Sequence, residues 1–175
     1  QTTIFEREEK LGGVPRYVIP AFRISDEALD KDVALMERLG VEVKCGAPAP
    51  SVAELKKMGY THILLATGAW QAGELGIPGN VRGVIAWMKE MKQQVKPCLE
   101  GHVVVVGAGN TAMDAARVAK RMGAASSTIV YRRTKKEMPA DEHELKLAID
   151  EGVNLVELAA PVEQKDGKLI CNQMQ

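Results

Sequence analysis

Residues 101–112 read GHVVVVGAGNTA and indicate the fold of the chain. Its four consecutive valines predict a central parallel strand that is buried on both faces, because such strands are continuous apolar runs. The pattern Gly-x-Gly-x-x-Ala follows directly. Gly107 permits a tight turn, Gly109 lets the backbone approach a pyrophosphate, and Ala112 is small enough for a helix to pack on the strand. The stretch therefore predicts a dinucleotide-binding turn.

The residues after this turn complete a strand-turn-helix-strand unit. A helix is predicted from about Asn110 to Met122, with Gly123 placed to end it, and a second strand over Thr128–Tyr131. Phosphate groups bind at such a helix N-terminus. The motif by itself is weak, and the alternative is a tight turn that packs against a helix and binds no ligand.

Two arginines end the second predicted strand. NAD sites usually carry an acidic residue at this position, which binds the ribose 2'-hydroxyl, whereas Arg132 and Arg133 would attract a 2'-phosphate. The alternatives are a solvated pair of arginines, or an NAD enzyme in which the pair is incidental. The pair favours NADP over NAD.

Composition limits the remaining function classes. The 175 residues contain 23 Lys plus Arg and 23 Asp plus Glu, so no global field attracts nucleic acid or an acidic membrane surface. No apolar run approaches the roughly twenty residues of a membrane span, and the N-terminus lacks a signal-peptide layout, so a cytoplasmic location is expected. The three cysteines and three histidines are isolated, with neither metal-ligand spacing nor a redox Cys-x-x-Cys pair, and no metal site is assigned.

The N-terminal half predicts alternating strands and helices. Ser25 and the capping box Ser51-Val52-Ala53-Glu54 each mark a helix start. The predicted elements are a strand over Thr2–Glu6, a Gly12-Gly13 loop, a helix over Ser25–Leu39, a strand over Val41–Cys45, a short helix ended by Gly59, and a buried strand over His62–Ala66. The last strand leads to Ala66-Thr67-Gly68-Ala69, which is either a ligand-binding segment at a strand end or a plain turn.

A weak internal repeat organises the chain. Residues 3–7 resemble residues 128–132, and residues 39–43 resemble residues 151–155. We therefore expect an α/β chain with two nested, Rossmann-like dinucleotide-binding units: a partial FAD-binding domain over residues 1–97 and an NADP-binding domain over residues 98–175. In the first unit, Glu6 occupies the strand end that selects a free ribose diol. The alternative for Glu6 alone is a surface acid.

Both ends of the chain lack elements that complete dinucleotide folds have. The glycine turn expected before Thr2 is absent and the chain begins with Gln1, so an internal fragment with a first unit truncated at its N-terminus is expected. At the other end, strands over Val153–Leu158 and Pro161–Asn172 surround an Asp166-Gly167 hairpin turn, without a closing element.

An ordered set of motifs along essentially all 175 residues resembles a known family. The chain resembles the glutamate synthase small-subunit type of NADPH-dependent flavoprotein, a module also found in dihydropyrimidine dehydrogenase and in selenate reductase flavoproteins. The residues that carry the resemblance are Phe5-Glu6, Gly12-Gly13-Val14, Ile19-Pro20-x-Phe22-Arg23, Ala66-Thr67-Gly68, residues 107–114, and Tyr131-Arg132-Arg133 through Met138-Pro139-Ala140.

The resemblance implies a role for each matching position. Glu6 would bond the adenosine ribose of FAD, and the remaining FAD contacts would come from Gly12, Gly13, Val14, Arg23, Thr67 and Gly68. Gly107 would form the turn of the NADPH site, its pyrophosphate would be held by Gly109, Asn110, Thr111 and Ala112, and its 2'-phosphate by Arg132 and Arg133. Asp141 and Glu142 stand where family members often have an arginine, so a third phosphate contact is not expected.

The implied activity is hydride transfer from NADPH to FAD in the intact protein, with electrons passing on to iron-sulfur clusters or a partner domain. The cofactors supply this chemistry and the protein positions them, so no catalytic acid, base or nucleophile is assigned. The isolated segment is expected to be inactive. The alternative from another class is a non-catalytic NADP-binding or assembly module.

Overall fold

The computed structural model describes residues 1–71 and 73–175. The chain divides into two compact units, Gln1–Trp70 and Gln71–Gln175. The predicted boundary between residues 97 and 98, which separates the two cofactor-binding domains, stays a prediction. In the described residues, no helix has the length and hydropathy that a membrane span requires.

The first unit contains a parallel pair of short strands with the helices that connect and follow them. Its elements are β1 (Thr3–Phe5), α1 (Gly13–Tyr17), α2 (Asp26–Arg38), β2 (Glu42–Lys44) and α3 (Val52–Lys57). The Ser25 side chain accepts a hydrogen bond from the Ala28 amide at the start of α2, and Ser51 and Glu54 form the predicted capping box of α3. The polar residues that predicted these two helix starts are therefore confirmed as caps. Part of the predicted Gly12-Gly13 loop is the helix α1.

The prediction of a buried strand over His62–Ala66 is wrong. Residues 61–71 contain neither helix nor strand, and the side chains of Leu64 and Leu65 are 89% and 74% exposed. An apolar run becomes a buried strand only where another strand pairs with its backbone and another layer covers its side chains. In the described part of the first unit, β1 pairs with β2, and neither pairs with residues 62–66.

The second unit is built on a three-stranded parallel sheet in the order β3-β4-β5. The strands are β3 (His102–Val106), β4 (Ser126–Val130) and β5 (Val153–Val156), joined by the helices α5 (Asn110–Arg121) and α6 (Glu142–Asp150). The helix α4 (Val84–Lys92) precedes the sheet, and the antiparallel strands β6 (Ala159–Lys165) and β7 (Lys168–Gln173) follow it. The turn between β6 and β7 lies at Asp166 and Gly167, whose φ values of 50° and 72° suit a hairpin turn, as predicted.

The core of the second unit lies between its sheet and the helices α5 and α6. Met113 and Ala116 from α5 pack with Ile129, Ala148 and Val153, all of them buried. The second unit thus keeps the predicted strand-turn-helix-strand order.

The four valines of β3 do not form a central strand. In the described chain β3 lies at the edge of the sheet and bonds to β4 alone, and Val104 is 45% exposed. The prediction that this strand is buried on both faces is therefore wrong. Val105 packs against the core, whereas Val104 points to the opposite face. A run of valines satisfies the conformational preference of any strand, so it does not report how many neighbours the strand has.

The internal repeat corresponds to equivalent strand pairs in the two units. Thr3 pairs with Glu42 across β1 and β2, and the equivalent Thr128 pairs with Asn154 across β4 and β5. The next pairs also correspond, Ile4 with Val43 and Ile129 with Leu155. Both units therefore pair their repeated strands in parallel and in the same register.

Candidate functional site

Gly107 makes the turn at the carboxyl end of β3. Its φ is +120°, a conformation that side chains other than glycine rarely adopt, and its amide donates to the Val130 carbonyl at 3.0 Å. This hydrogen bond joins the end of β3 to the end of β4. The turn thus begins at the edge where the carboxyl ends of both strands meet, and this is where ligands of parallel sheets bind.

Gly109 is not required by the backbone conformation. Its φ of −88° and ψ of 172° are open to any residue, and a Cβ atom built there would meet nothing within 4 Å. Gly109 is also the N-cap of α5, where no side chain of residues 1–71 or 73–175 accepts the first helical amides. An uncapped helix start beside open space fits a pyrophosphate, whose oxygens would accept those amides. Neither backbone conformation nor packing in the described residues therefore requires glycine at this position.

Of the other residues in the turn, two are buried and two are exposed. Ala108 and Ala112 are buried at 3% and 8% exposure. Asn110 and Thr111 are exposed at the helix start. The small residue at position 112 is thus buried, and the two polar residues are exposed beside the turn.

Arg132 and Arg133 follow β4 directly and are both exposed. Neither side chain hydrogen bonds or pairs with an acid anywhere in residues 1–71 and 73–175. Arg117 and Arg121 differ, because both bind the Glu151 carboxylate. The two predicted phosphate ligands are therefore available cations at the end of the strand adjacent to the glycine turn.

The segment Met138–Asp141 lies beside the glycine turn, a contact that the sequence reasoning missed. The Ala140 amide donates to the Ala108 carbonyl at 3.1 Å, and the Asp141 amide donates to Asn110 Oδ1 at 3.2 Å. Asp141 also caps α6 by accepting from the His143 amide. The spacing Asp141-x-x-Glu144 could have predicted this helix start, but no local pattern predicts the contact with Asn110.

Glu6 lies at the end of β1, at the position equivalent to Tyr131 in the second unit. The Glu6 amide donates to the Lys44 carbonyl at 2.9 Å, as the Tyr131 amide does to the Val156 carbonyl at 2.9 Å. The Glu6 carboxylate accepts from the Glu8 amide at 2.9 Å. The structure therefore places Glu6 at a strand end, where an acid can select a ribose diol.

Gly12 has a structural reason to be glycine, unlike Gly109. Its φ is +124°, and a Cβ atom there would lie 2.9 Å from Arg16 Cβ. Arg16 is 6% exposed and binds the Leu11 carbonyl and the Asp30 carboxylate. Gly13, with φ +49°, and Val14 begin α1 beside it, and the Arg23 amide donates to Pro20 in the turn beyond α1.

Thr67 and Gly68 lie in the exposed segment that follows α3. Gly68 has φ +72°, and two residues later the Trp70 ring lies under the Arg7 guanidinium, 4.8 Å from the ring centroid. Arg7 follows Glu6 directly. This cation–π contact therefore brings the segment of Thr67 and Gly68 to the end of β1, where Glu6 lies.

The described residues contain no cluster of three or more His, Cys, Asp or Glu that could hold a metal ion. The three cysteines are free thiols, and burial raises the pKa of Cys45 and Cys171. A raised pKa leaves less of the reactive thiolate at neutral pH.

A glycine turn, an uncapped helix and a cationic strand end, set in a unit whose strand pairing is repeated, define a Rossmann-like dinucleotide-binding protein. The family follows from comparison. Residues 22–172 match the model of the pyridine nucleotide-disulphide oxidoreductases, and the chain belongs to this family. The cofactors of the family are NADPH and FAD, as predicted.

Known relatives confirm the predicted resemblance. The chain is 38% identical over 178 residues to YgfK of Escherichia coli strain K12, which is named as an oxidoreductase, covering 98% of this chain and 17% of that protein. It is 32% identical over 178 residues to the glutamate synthase [NADPH] small chain of Azospirillum brasilense, covering 90% of this chain and 36% of that protein. The chain therefore spans a minor part of each relative.

A solved structure shows the same fold. Mycobacterium tuberculosis FprA in complex with NADPH superposes with a TM-score of 0.76 over 98% of this chain and 59% of its own, at 16% sequence identity. At this identity the likeness establishes the fold and not the chemistry.

Proposed function

We propose that this chain is the NADPH-binding part of a flavin-dependent oxidoreductase that passes hydride from NADPH to FAD. The observation that carries the proposal is the open space at Gly109, at an uncapped helix N-terminus beside a strand end with two arginines that have no partner among the described residues. The 5'-pyrophosphate and the 2'-phosphate of one adenosine ribose would complement these two sets of groups.

Each candidate residue has a positioning role in this proposal. Amides of the turn and of the α5 N-terminus hold the pyrophosphate, and Arg132 and Arg133 hold the 2'-phosphate. Residues 98–175 form the NADP-binding domain and residues 1–97 the FAD-binding part. FAD would be contacted by Glu6, Gly12, Gly13, Val14, Arg23, Thr67 and Gly68.

The bound cofactors supply the hydride chemistry, and the chain supplies binding and orientation. We therefore assign no catalytic acid, base or nucleophile. We further propose that electrons pass onward to iron-sulfur clusters or to another domain or subunit of a cytoplasmic enzyme. The relative from Azospirillum brasilense is named a small chain, which supports a subunit role.

Replacing both arginines tests the nucleotide assignment. Each charge-assisted hydrogen bond contributes about 1.5–3 kcal/mol, so Arg132→Ala with Arg133→Ala should weaken NADPH binding by about two orders of magnitude or more. Binding of NADH, which lacks the 2'-phosphate, should barely change. Isothermal titration calorimetry with each nucleotide measures both values.

A matched control separates the local effect from the loss of charge. Lys56 and Lys57 are also adjacent exposed cations, at the end of α3 in the first unit. Lys56→Ala with Lys57→Ala removes the same charge and should leave both affinities unchanged. Equal affinity of the unmodified protein for NADPH and NADH would contradict the assignment of the arginines.

Flavin content tests the oxidoreductase proposal as a whole. The intact protein, purified without denaturation, should absorb in the flavin region and bleach when NADPH is added without oxygen. A folded intact protein that binds NADPH and neither carries nor takes up FAD would instead be an NADP-binding or assembly module.

A further inference from the structure

The loop of residues 131–141, named here the arginine loop, connects β4 to α6 and carries Arg132 and Arg133. These two side chains are unpaired in the described structure. The backbone of residues 131 and 133, however, is hydrogen bonded to β5 and to the residues that follow it. The Tyr131 amide donates to the Val156 carbonyl at 2.9 Å, and the Tyr131 carbonyl accepts from the Ala159 amide at 3.0 Å. The Arg133 carbonyl accepts from the Leu158 amide at 3.2 Å.

The Tyr131 side chain closes this loop on itself. Its hydroxyl donates to the Glu137 carbonyl at 2.9 Å, and both arginines lie between the two bonded residues. The Tyr131 ring is half-buried and packs against the core with Met138 and Ala140. Because packing holds the Tyr131 ring in place, the hydrogen bond from its hydroxyl fixes the position of Glu137.

The last two residues of the arginine loop hydrogen bond to the glycine turn. Ala140 donates to Ala108, and Asp141 donates to the Asn110 side chain. The Lys135 amide donates to the Glu157 carboxylate, which adds a further contact to the segment that follows β5. The loop is therefore connected to the segment after β5, to its own strand end and to the turn that would hold the pyrophosphate.

We propose that Tyr131 is a positioning residue for discrimination between NADPH and NADH. Its hydroxyl holds the backbone of Arg132 and Arg133 in place before nucleotide binds, and does not itself touch the nucleotide. Arginine side chains lose considerable freedom on binding, so a fixed backbone lowers the entropy that the phosphate contact must overcome. This inference rests on the proposed function and adds a determinant of its nucleotide selectivity.

The test is Tyr131→Phe in the intact protein, because it removes one oxygen and keeps the packed ring. Loss of one hydrogen bond should weaken NADPH binding about three- to tenfold, while the dissociation constant for NADH stays within about twofold. Tyr60→Phe is the matched control. The Tyr60 hydroxyl donates to Thr3 at 2.9 Å in the first unit, and its loss should leave the ratio of the two affinities unchanged.

The same substitution in a protein without the two arginines shows whether Tyr131 acts through them. In a protein that already carries Arg132→Ala and Arg133→Ala, Tyr131→Phe should have no further effect on NADPH affinity, since the groups through which it acts are gone. A residual loss there would overturn the inference, as would an unchanged NADPH affinity or an equal loss for NADH in the single variant. An unmodified protein without NADPH preference would instead refute the assignment of the two arginines in the proposed function, on which the inference rests.

Discussion

At the scale of single residues, the two glycines of the turn have different physical reasons. Gly107 is strained for any side chain by its φ of +120°, whereas Gly109 has an ordinary conformation and open space around it. We predict that Gly107→Ala lowers the free energy of unfolding by about 1–3 kcal/mol, and that Gly109→Ala changes it by less than about 1 kcal/mol. Urea unfolding measures both.

For Gly109→Ala, the effect on NADPH binding should be larger than the effect on the free energy of unfolding. A methyl group at this position occupies the space that we assign to the pyrophosphate, so Gly109→Ala should lose at least about tenfold in affinity while the protein stays folded. Both NADPH and NADH should be affected, because both carry the pyrophosphate. Unchanged binding by a folded Gly109→Ala protein would show that the phosphate lies elsewhere.

The sequence could identify candidate arginines but not their partners. Arg132 and Arg133 were predicted as ligands from their place after a strand, and neither pairs with any residue in the part of the chain that the structure describes. Arg117 and Arg121 are as cationic, but they bind Glu151, which lies 34 and 30 residues further along the chain. Pairing over such separations depends on how the helices pack, which no local pattern encodes.

At the scale of elements, the carboxylate at the end of α6 fastens that helix to α5. Glu151 accepts from Arg117 at 2.7 Å and from Arg121 at 2.8 Å, and the Arg117 side chain is only 7% exposed. The hydrogen bonds from Arg121 and then from Arg117 lower the pKa of Glu151 from 4.5 to about 2. The charged carboxylate therefore stabilises the folded state.

Replacing this carboxylate should destabilise the protein in a pH-dependent way. We predict that Glu151→Gln lowers the free energy of unfolding by about 1–3 kcal/mol at pH 7, because buried Arg117 loses a charged partner. A lowered folded-state pKa contributes stability above the unfolded value of 4.5, and this contribution is lost as the pH falls toward 2. The difference between the two proteins should thus shrink between about pH 5 and pH 2.

The exposed pair next to it provides the control. Asp150 binds Lys146 at 2.7 Å, but both side chains are more than half exposed. Asp150→Asn should therefore change the free energy of unfolding by less than about 1 kcal/mol. Urea unfolding across the pH range measures all three proteins. A Glu151→Gln difference that stays constant down to pH 2 would exclude the carboxylate charge as its source.

Elements with a local signal were predictable, and those that depend on distant neighbours were not. Ser25, the Ser51–Glu54 box and Asp166-Gly167 act within a few residues, and their caps and turn are confirmed. The apolar run at residues 62–66 and the valines of β3 needed knowledge of which strands flank them. Apolar content sets strand preference, whereas burial is set by neighbours, and this explains both errors.

At the scale of the whole molecule, the repeat predicted more than any single element did. Aligning residues 3–7 with residues 128–132 predicted equivalent strands, and those strands pair in the same register in both units. The repeat also aligns Glu6, which follows β1, with Tyr131, which follows β4. The residue after Tyr131 is Arg132, so an acid lies at the end of β1 and a cation lies near the end of β4. Two different nucleotides would complement these ends.

This division predicts which part of the molecule a nucleotide stabilises. All proposed NADPH ligands lie in the unit Gln71–Gln175, and their contacts belong to that unit. Binding at one hundred times the dissociation constant adds about 2.7 kcal/mol to the stability of the part that binds. We predict that NADPH without FAD slows amide hydrogen exchange in the turn 107–112, in α5 and in the arginine loop.

The unit Gln1–Trp70 provides the internal comparison in the same experiment. Its amides, including those of α2 and of the turn at Gly12, should exchange at an unchanged rate with NADPH alone and should slow when FAD is added. NADH at the same fractional saturation should protect the glycine turn but not Arg132–Lys135, since it has no phosphate for the arginines. Equal protection of Gln1–Trp70 by NADPH alone would contradict the assignment of one nucleotide to each unit.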